Sequence, residues 1–159
     1  MDFRDMPITP DDSDWTFIRT VFSRFVPEIA SGIVEIRSVA RIPGVRTKVA
    51  FASLDPTLDC IRFCLGERNG RINDIVADLG GTEKIDLIPW TDSPERFVSL
   101  ALCPGAAGTV SVDLATHTAV ATVLPSDLAL TLGTGGHNRE LASRLTGWNI
   151  EIVVQEDAA

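Results

Sequence analysis

The stretch Leu65-Gly66-Glu67-Arg68-Asn69-Gly70 places a glycine-started loop between two short segments of helical character. Asp59–Leu65 precedes it as a short helix. Arg71–Leu79 follows it, with apolar side chains at positions i, i+3, i+4 and i+7 of an amphipathic helix. A glycine pair ends this helix, and Lys84–Ile88 then predicts a strand. The order helix, glycine loop, helix, strand is the pattern from which we predict the fold.

The same order occurs a second time. Leu128–Leu132 predicts a short helix that leads into Gly133-Thr134-Gly135-Gly136, and the helix His137–Leu145 and the strand Trp148–Val154 follow. In both halves a helix and a pair of strands come first. They are predicted at residues 15–25, 33–41 and 46–52 in the first half, and from Ser93-Pro94 onward, at 110–114 and at 118–124 in the second. Each half therefore predicts α-β-β-α-α-β.

Two such units resemble a pair of KH modules, which hold single-stranded RNA or DNA by its backbone at the glycine loop. We expect an α+β fold class with two modules in tandem, each built on a three-stranded sheet. The predicted boundaries are a flexible lead-in over residues 1–14, a first module over 15–90 and a second over 91–155.

Several segments resemble, in order and spacing, the tandem KH region of the NusA family of bacterial transcription elongation, termination and antitermination factors. They are V-P-E-I at 26–29, G-I-V-E-I at 32–36, A-R-I-P-G-V-R-T-K-V at 40–49, L-G-G at 79–81, K-I-D at 84–86 and L-A-S-R-L-T-G-W at 141–148. The resemblance covers roughly residues 16–154 and implies two type II KH folds. In that fold we expect the last strand of each unit to pair beside the first strand of its hairpin.

The resemblance also implies partners. Members of the family bind the nascent single-stranded transcript, and they carry an RNA-polymerase-binding domain and an OB-fold domain that are not among these 159 residues. Contacts with RNA polymerase and other transcription factors are expected through those domains. The sequence is compatible with a segment of a longer protein and with a short stand-alone relative.

The candidate RNA-binding residues fall into two loops and one basic strand region. They are Arg37, Arg41, Arg46 and Lys48; Gly66, Arg68, Asn69 and Arg71; and Gly133, Thr134, Gly135, Gly136, His137 and Asn138. The family loop reads G-x-x-G, and here Asn69 replaces its second glycine. Asparagine tolerates a left-handed backbone better than most side chains. The second loop keeps both glycines and lacks the basic residue usual between them.

Charge is unevenly distributed along the chain. The formal net charge is −8, but residues 37–71 carry +4, whereas residues 1–36 carry −4 and residues 72–159 carry −8. Phosphate binding depends on basic side chains that release counterions, so weak RNA binding is expected. A second hypothesis is a KH scaffold that contacts a basic protein partner and has little affinity for RNA. The basic strand residues are open to a simpler interpretation as a solvated face, as is His137 on its loop.

Other function classes find little support in the sequence. Two histidines and three cysteines (Cys60, Cys64 and Cys103) form no catalytic or metal-ligating pattern, so we expect no enzyme activity, no metal and no cofactor. The cysteines, Trp90 and Trp148 are expected in the core. The N-terminus resembles no signal peptide and no apolar run is long enough to span a membrane. We therefore expect a cytoplasmic monomer.

Overall fold

A computed structural model describes residues 13–156. The chain divides after Trp90 into two compact units. The predicted lead-in lies outside the described residues except for its last two positions, which are already helical.

The first unit holds the predicted order, with one additional short helix after the first. Its elements are α1 (Ser13–Phe25), α2 (Pro27–Ala30), β1 (Glu35–Ile42), β2 (Arg46–Ala52), α3 (Cys60–Leu65), α4 (Gly70–Asp78) and β3 (Lys84–Pro89). A single 3-10 turn, Glu67–Asn69, links α3 to α4.

The second unit repeats this order. Its elements are α5 (Pro94–Ala101), β4 (Thr109–Asp113), β5 (Thr118–Val123), α6 (Leu128–Leu132), α7 (His137–Thr146) and β6 (Asn149–Val154). Ser93 begins α5 as predicted, since its side chain accepts a hydrogen bond from the backbone N–H of Arg96. A 3-10 turn over Thr134–Gly136 links α6 to α7.

Each unit has its own three-stranded sheet, in the orders β1-β2-β3 and β4-β5-β6. The first two strands are antiparallel, and the last strand runs parallel to the second. The two-module fold class is therefore confirmed, but the expected strand order is wrong because the last strand lies beside the second strand of the hairpin. Two helices separate the second strand from the third, and such a crossover is the connection that parallel neighbours require.

The core of the first unit lies between its sheet and helices. Ile18, Val21 and Phe22 of α1 are buried, and the Phe22 and Phe51 rings are 5.6 Å apart. Cys64 is buried as predicted, and burial raises the pKa of its thiol to about 12. Cys60 and Cys103 are half-buried, and Cys60, Cys64 and Cys103 are thiols that form no disulfide.

A buried carboxylate joins the hairpin of the first unit to the chain entering β3. Glu83 is fully buried and accepts two hydrogen bonds from the Arg41 guanidinium, at 3.0 and 2.9 Å. It also accepts one from the Gly44 backbone N–H at 2.9 Å and one from the Thr47 hydroxyl. Glu83 therefore fixes the position of β3 relative to the β1–β2 turn.

A second carboxylate joins β2 directly to β3. Asp86 accepts from Arg46 at 2.7 Å and from the fully buried Lys48 at 2.8 Å. Lys48 and Asp86 are partners in the parallel register. A buried ammonium ion is tolerated only when it is paired, so these bonds hold the two strands together.

We predict that Glu83→Ala lowers the free energy of unfolding by about 3–5 kcal/mol, because it removes the carboxylate that accepts two hydrogen bonds from the mostly buried Arg41 guanidinium. Urea denaturation measures the loss. The matched control is Asp78→Ala, which breaks the exposed Arg24–Asp78 pair and should cost less than about 1 kcal/mol. Equal losses in the two variants would contradict this role of Glu83.

The stability due to Glu83 should also depend on pH. Burial alone raises the pKa of Glu83, but hydrogen bonds from Arg41, Thr47 and Gly44 outweigh burial and hold the pKa below its ordinary value. Its contribution is therefore complete above about pH 4.3, the unfolded value, and is lost as pH falls through the folded pKa. We expect the difference in unfolding free energy between the natural chain and Glu83→Gln to stay constant from pH 7 to about pH 4.3 and to shrink at lower pH. A difference that does not shrink below about pH 4.3 would refute this.

Candidate nucleic-acid interface

The two glycine loops start with the same backbone conformation. Gly66 has φ 72° and ψ 179°, and Gly133 has φ 75° and ψ 169°. This region of backbone space is essentially open only to glycine. A Cβ at Gly66 would also stand 2.5 Å from the Cγ of Arg71, and one at Gly133 would stand 2.8 Å from the Cβ of Asn138. The first glycine of each loop is required by both conformation and space.

The loops also end alike, with two consecutive left-handed residues. These are Arg68 and Asn69 in the first loop, at φ 53° and 60°, and Gly135 and Gly136 in the second, at φ 62° and 76°. Asn69 thus adopts the conformation that the second glycine would, as its tolerance of left-handed backbone predicted. The backbone of the first loop is strained in a way that the second loop avoids, because a left-handed conformation costs a non-glycine residue about 1–3 kcal/mol of free energy.

The same backbone hydrogen bond closes both loops. The N–H of Asn69 donates to the Gly66 carbonyl at 3.2 Å, and the N–H of Gly136 donates to the Gly133 carbonyl at 3.1 Å. The start of α4 follows the first loop and that of α7 follows the second, so each loop lies at the positive end of a helix dipole. This arrangement suits the approach of a phosphate to main-chain N–H groups.

The exposed side chains of the two loops differ in charge. Glu67, Arg68 and Asn69 are exposed in the first loop, whereas Thr134 and Gly135 are exposed in the second. The ring of His137 is half-buried beside the second loop, and a Cβ at Gly135 would lie 3.5 Å from its Nε2 atom. The first loop presents one cation and one anion, and the second presents an uncharged surface.

Two predicted site residues, Arg71 and Asn138, pack against the first glycine of their loops. Arg71 donates from Nη1 to the carboxylate of Glu28 and, at 2.9 Å, to the Phe63 carbonyl. Asn138 takes the corresponding place in the second unit. It is buried, and its Nδ2 donates to the carbonyls of Leu102 and Thr131, each at 2.8 Å. Both side chains therefore anchor a loop to the preceding elements.

The basic strand residues are paired rather than spread over a solvated face. Arg41 binds Glu83, and Arg46 and Lys48 bind Asp86. Arg37 is almost fully buried, with its Nη1 3.5 Å from Glu35. Their assignment to the RNA path stays a prediction. The carboxylates that neutralise these cations, Glu83 and Asp86, lie outside residues 37–71, the segment with a net charge of +4. The K-I-D segment at 84–86 contains Asp86 and is the sequence signal that could have indicated this partner.

A groove of about 1020 Å³ borders the first loop, between α3 and α4. Its charged lining is balanced, with three cations and three anions: Arg62, Arg68, Arg71, Asp59, Glu67 and Asp74. Apolar contacts come from Leu58 and Phe63. The charged lining of the groove therefore has no excess of positive charge.

The β4–β5 turn carries the other histidine. The rings of His117 and Trp148 stack 4.0 Å apart and 8° from parallel. Trp148 is buried as predicted, and Trp90 is half-buried.

Among the described residues, no group of three or more histidine, cysteine or carboxylate side chains could hold a metal ion, and no helix is long and apolar enough to span a membrane.

Comparison with known families matches both units. Residues 12–90 match the NusA-like first KH domain, and residues 94–159 match the NusA-like second KH domain. The fold also resembles the crystal structure of APE1850, with a TM-score of 0.58 at 18% identity, over 86% of this chain and 96% of that one.

Two curated relatives carry the name transcription termination/antitermination protein NusA. The Thermus thermophilus protein is 45% identical over 125 residues, which is 79% of this chain and 32% of that protein. The Mycobacterium bovis protein is 42% identical over 150 residues, which is 94% of this chain and 43% of that protein. The chain spans less than half the length of these relatives.

We predict that alanine has opposite effects on the free energy of unfolding at the two glycines that flank Glu67–Asn69. Gly66→Ala should lower the free energy of unfolding by about 1–3 kcal/mol, because of its backbone conformation and the Arg71 side chain. Gly70 is already helical at φ −63°, and an added Cβ meets no described atom within 4 Å. Gly70→Ala should therefore raise the free energy of unfolding by about 0.5–1 kcal/mol. Urea denaturation of both variants decides it, and a tolerated Gly66→Ala would show that the loop has another conformation.

Proposed function

Because the chain belongs to the NusA family as its tandem KH region, we propose that its two modules bind single-stranded RNA weakly, at the Gly66–Asn69 and Gly133–Gly136 loops. The proposed role is that of a non-catalytic RNA-binding platform in transcription elongation, termination and antitermination.

One observation supports this proposal above the others. The two loops have different sequences and yet share their backbone angles and the hydrogen bond that closes them. A chain that needed only a connection between two helices would have no reason to keep two left-handed residues in the first loop without glycine. The retained shape favours a function that uses the loop backbone, and phosphate binding by main-chain N–H groups is such a function.

Charge supports weak binding. Arg41, Arg46 and Lys48 are already engaged with carboxylates, and the second loop is uncharged. Affinity would then come from loop shape and short-range hydrogen bonds. If RNA binds mainly through the basic residues within 37–71, we expect log K to fall with log salt by about 0.7 for each neutralised phosphate, with about two to four phosphates involved.

The proposed partners follow from the family. The RNA would be a nascent transcript, and RNA polymerase and other transcription factors would be contacted by domains outside these 159 residues. This role would place the protein in the bacterial cytoplasm, and nothing in it requires more than one copy of the chain.

A second candidate function is a scaffold for a basic protein partner. It is favoured by the paired cations of the first unit and by the net charge of −8 over residues 72–159. In that case the loop shape would be a property of the fold without RNA affinity. The two candidates differ in whether loop substitutions change RNA binding.

We predict that Thr134→Lys tightens binding of labelled single-stranded RNA by about 1 kcal/mol, roughly fivefold in Kd, because it adds a charge-assisted hydrogen bond to a loop of suitable shape. The matched control is Thr116→Lys, which adds the same charge at an exposed position on the β4–β5 turn and should change affinity less. Asn69→Gly should also gain less, because Glu67 remains in the first loop.

Gly136→Asp should remove the contribution of the second loop, since it puts a side chain and an anion at a left-handed position. Titration by fluorescence anisotropy, with circular dichroism to show that the variant is folded, measures the loss. If folded Gly136→Asp and the natural chain bind RNA equally, the second module does not bind RNA and the acidic half is a scaffold. If neither chain binds RNA, the scaffold function is favoured for both modules.

A further inference from the structure

The side chain of Arg71 packs against the start of the first loop. Nη1 of Arg71 bridges the Glu28 carboxylate and the Phe63 carbonyl. The aliphatic part of Arg71 passes so close to Gly66 that a Cβ there would stand 2.5 Å from Arg71 Cγ. Arg71 thus contacts the start of the loop and the end of α3 at once.

The first loop has a particular need for this support. Its two left-handed residues are Arg68 and Asn69, whereas the second loop uses glycine at both positions. Non-glycine residues keep such a conformation only when the surrounding structure holds them there. The first loop therefore depends on its anchor more than the second does.

Glu28 is the charged partner of Arg71. The Arg71 side chain is 34% exposed and the Glu28 side chain 18% exposed, so water competes for the guanidinium. A carboxylate is a stronger acceptor for a guanidinium than a backbone carbonyl is. Without Glu28, the hydrogen bond to the Phe63 carbonyl alone would hold the Arg71 side chain against Gly66.

We propose that Glu28 is a positioning residue for nucleic-acid binding, and that the Glu28–Arg71 pair holds the first loop in the conformation that receives a phosphate. We name this pair the latch. Its expected effect on RNA affinity rests on the proposed function, whereas its effect on the loop does not. The second module uses the uncharged bonds of Asn138 instead, so loss of a carboxylate should affect only the first loop.

Amide hydrogen exchange by NMR tests the latch without RNA. The N–H groups of Asn69 and Gly70 donate to the carbonyls of Gly66 and Glu67, so their exchange reports on the shape of the first loop. Glu28→Gln should raise their exchange rates by about fivefold, the scale of one hydrogen bond. The amide of Gly136 in the second loop serves as the internal reference and should not change.

The matched control is Asp78→Asn, which removes a carboxylate from the Arg24–Asp78 pair at the other end of α4. This control should leave the Asn69 and Gly70 amides unchanged. The proposal is overturned if Glu28→Gln leaves these amides unchanged, if both variants change them equally, or if exchange rises uniformly through the first unit.

RNA titration then tests the link to binding. Glu28→Gln should raise the Kd for labelled single-stranded RNA about threefold in the natural chain, a fraction of one hydrogen bond. In an Asn69→Gly background the same substitution should matter less, because glycine adopts the left-handed conformation without support. An undiminished effect in that background would show that Glu28 acts by another route. If none of the chains binds RNA, the proposed function fails, and the exchange experiment still decides whether the latch holds the loop.

Discussion

Two consecutive left-handed residues reverse the chain between the helices of each loop, and the rest of the candidate interface depends on this reversal. It brings the start of the second helix close to the first glycine, so that no side chain fits at Gly66 or Gly133. It also leaves the middle of the loop exposed at the positive end of a helix. The same backbone angles therefore determine both the exposure of the middle of each loop and the close packing at its first glycine.

The two modules meet this constraint in different ways. The second places glycine at both left-handed positions, and an uncharged, buried asparagine anchors the loop. The first keeps Arg68 and Asn69 there and anchors the loop with a guanidinium and a carboxylate from α2. The first loop carries charge where the proposed phosphate would bind and relies on neighbouring side chains for its shape. The second loop owes its shape to its own glycines and carries little charge.

Apart from the short helix α2, the sequence predicted the helices and strands of both units closely, because most of the helices have an apolar stripe and end close to a glycine or proline. It did not predict the ion pairs of the strands, since Lys48 and Asp86 meet only when β3 lies beside β2. The expected order placed β3 beside β1, which would have separated them. The error in strand order and the missed ion pairs therefore have the same cause, namely that neighbours in a sheet are set by contacts between residues distant in sequence.

The pairing of β2 with β3 has a consequence for how such chains are recognised. The A-R-I-P-G-V-R-T-K-V segment supplies Arg41, Arg46 and Lys48, and the segment around K-I-D supplies their carboxylates. These two segments, prominent in the resemblance to the family, thus form one structural unit that is chemically satisfied within the protein. Because the cations of this fingerprint pair with carboxylates of the same unit, the fingerprint marks the fold. Under the proposed function, differences in RNA affinity between chains that share the fingerprint would come from their loops.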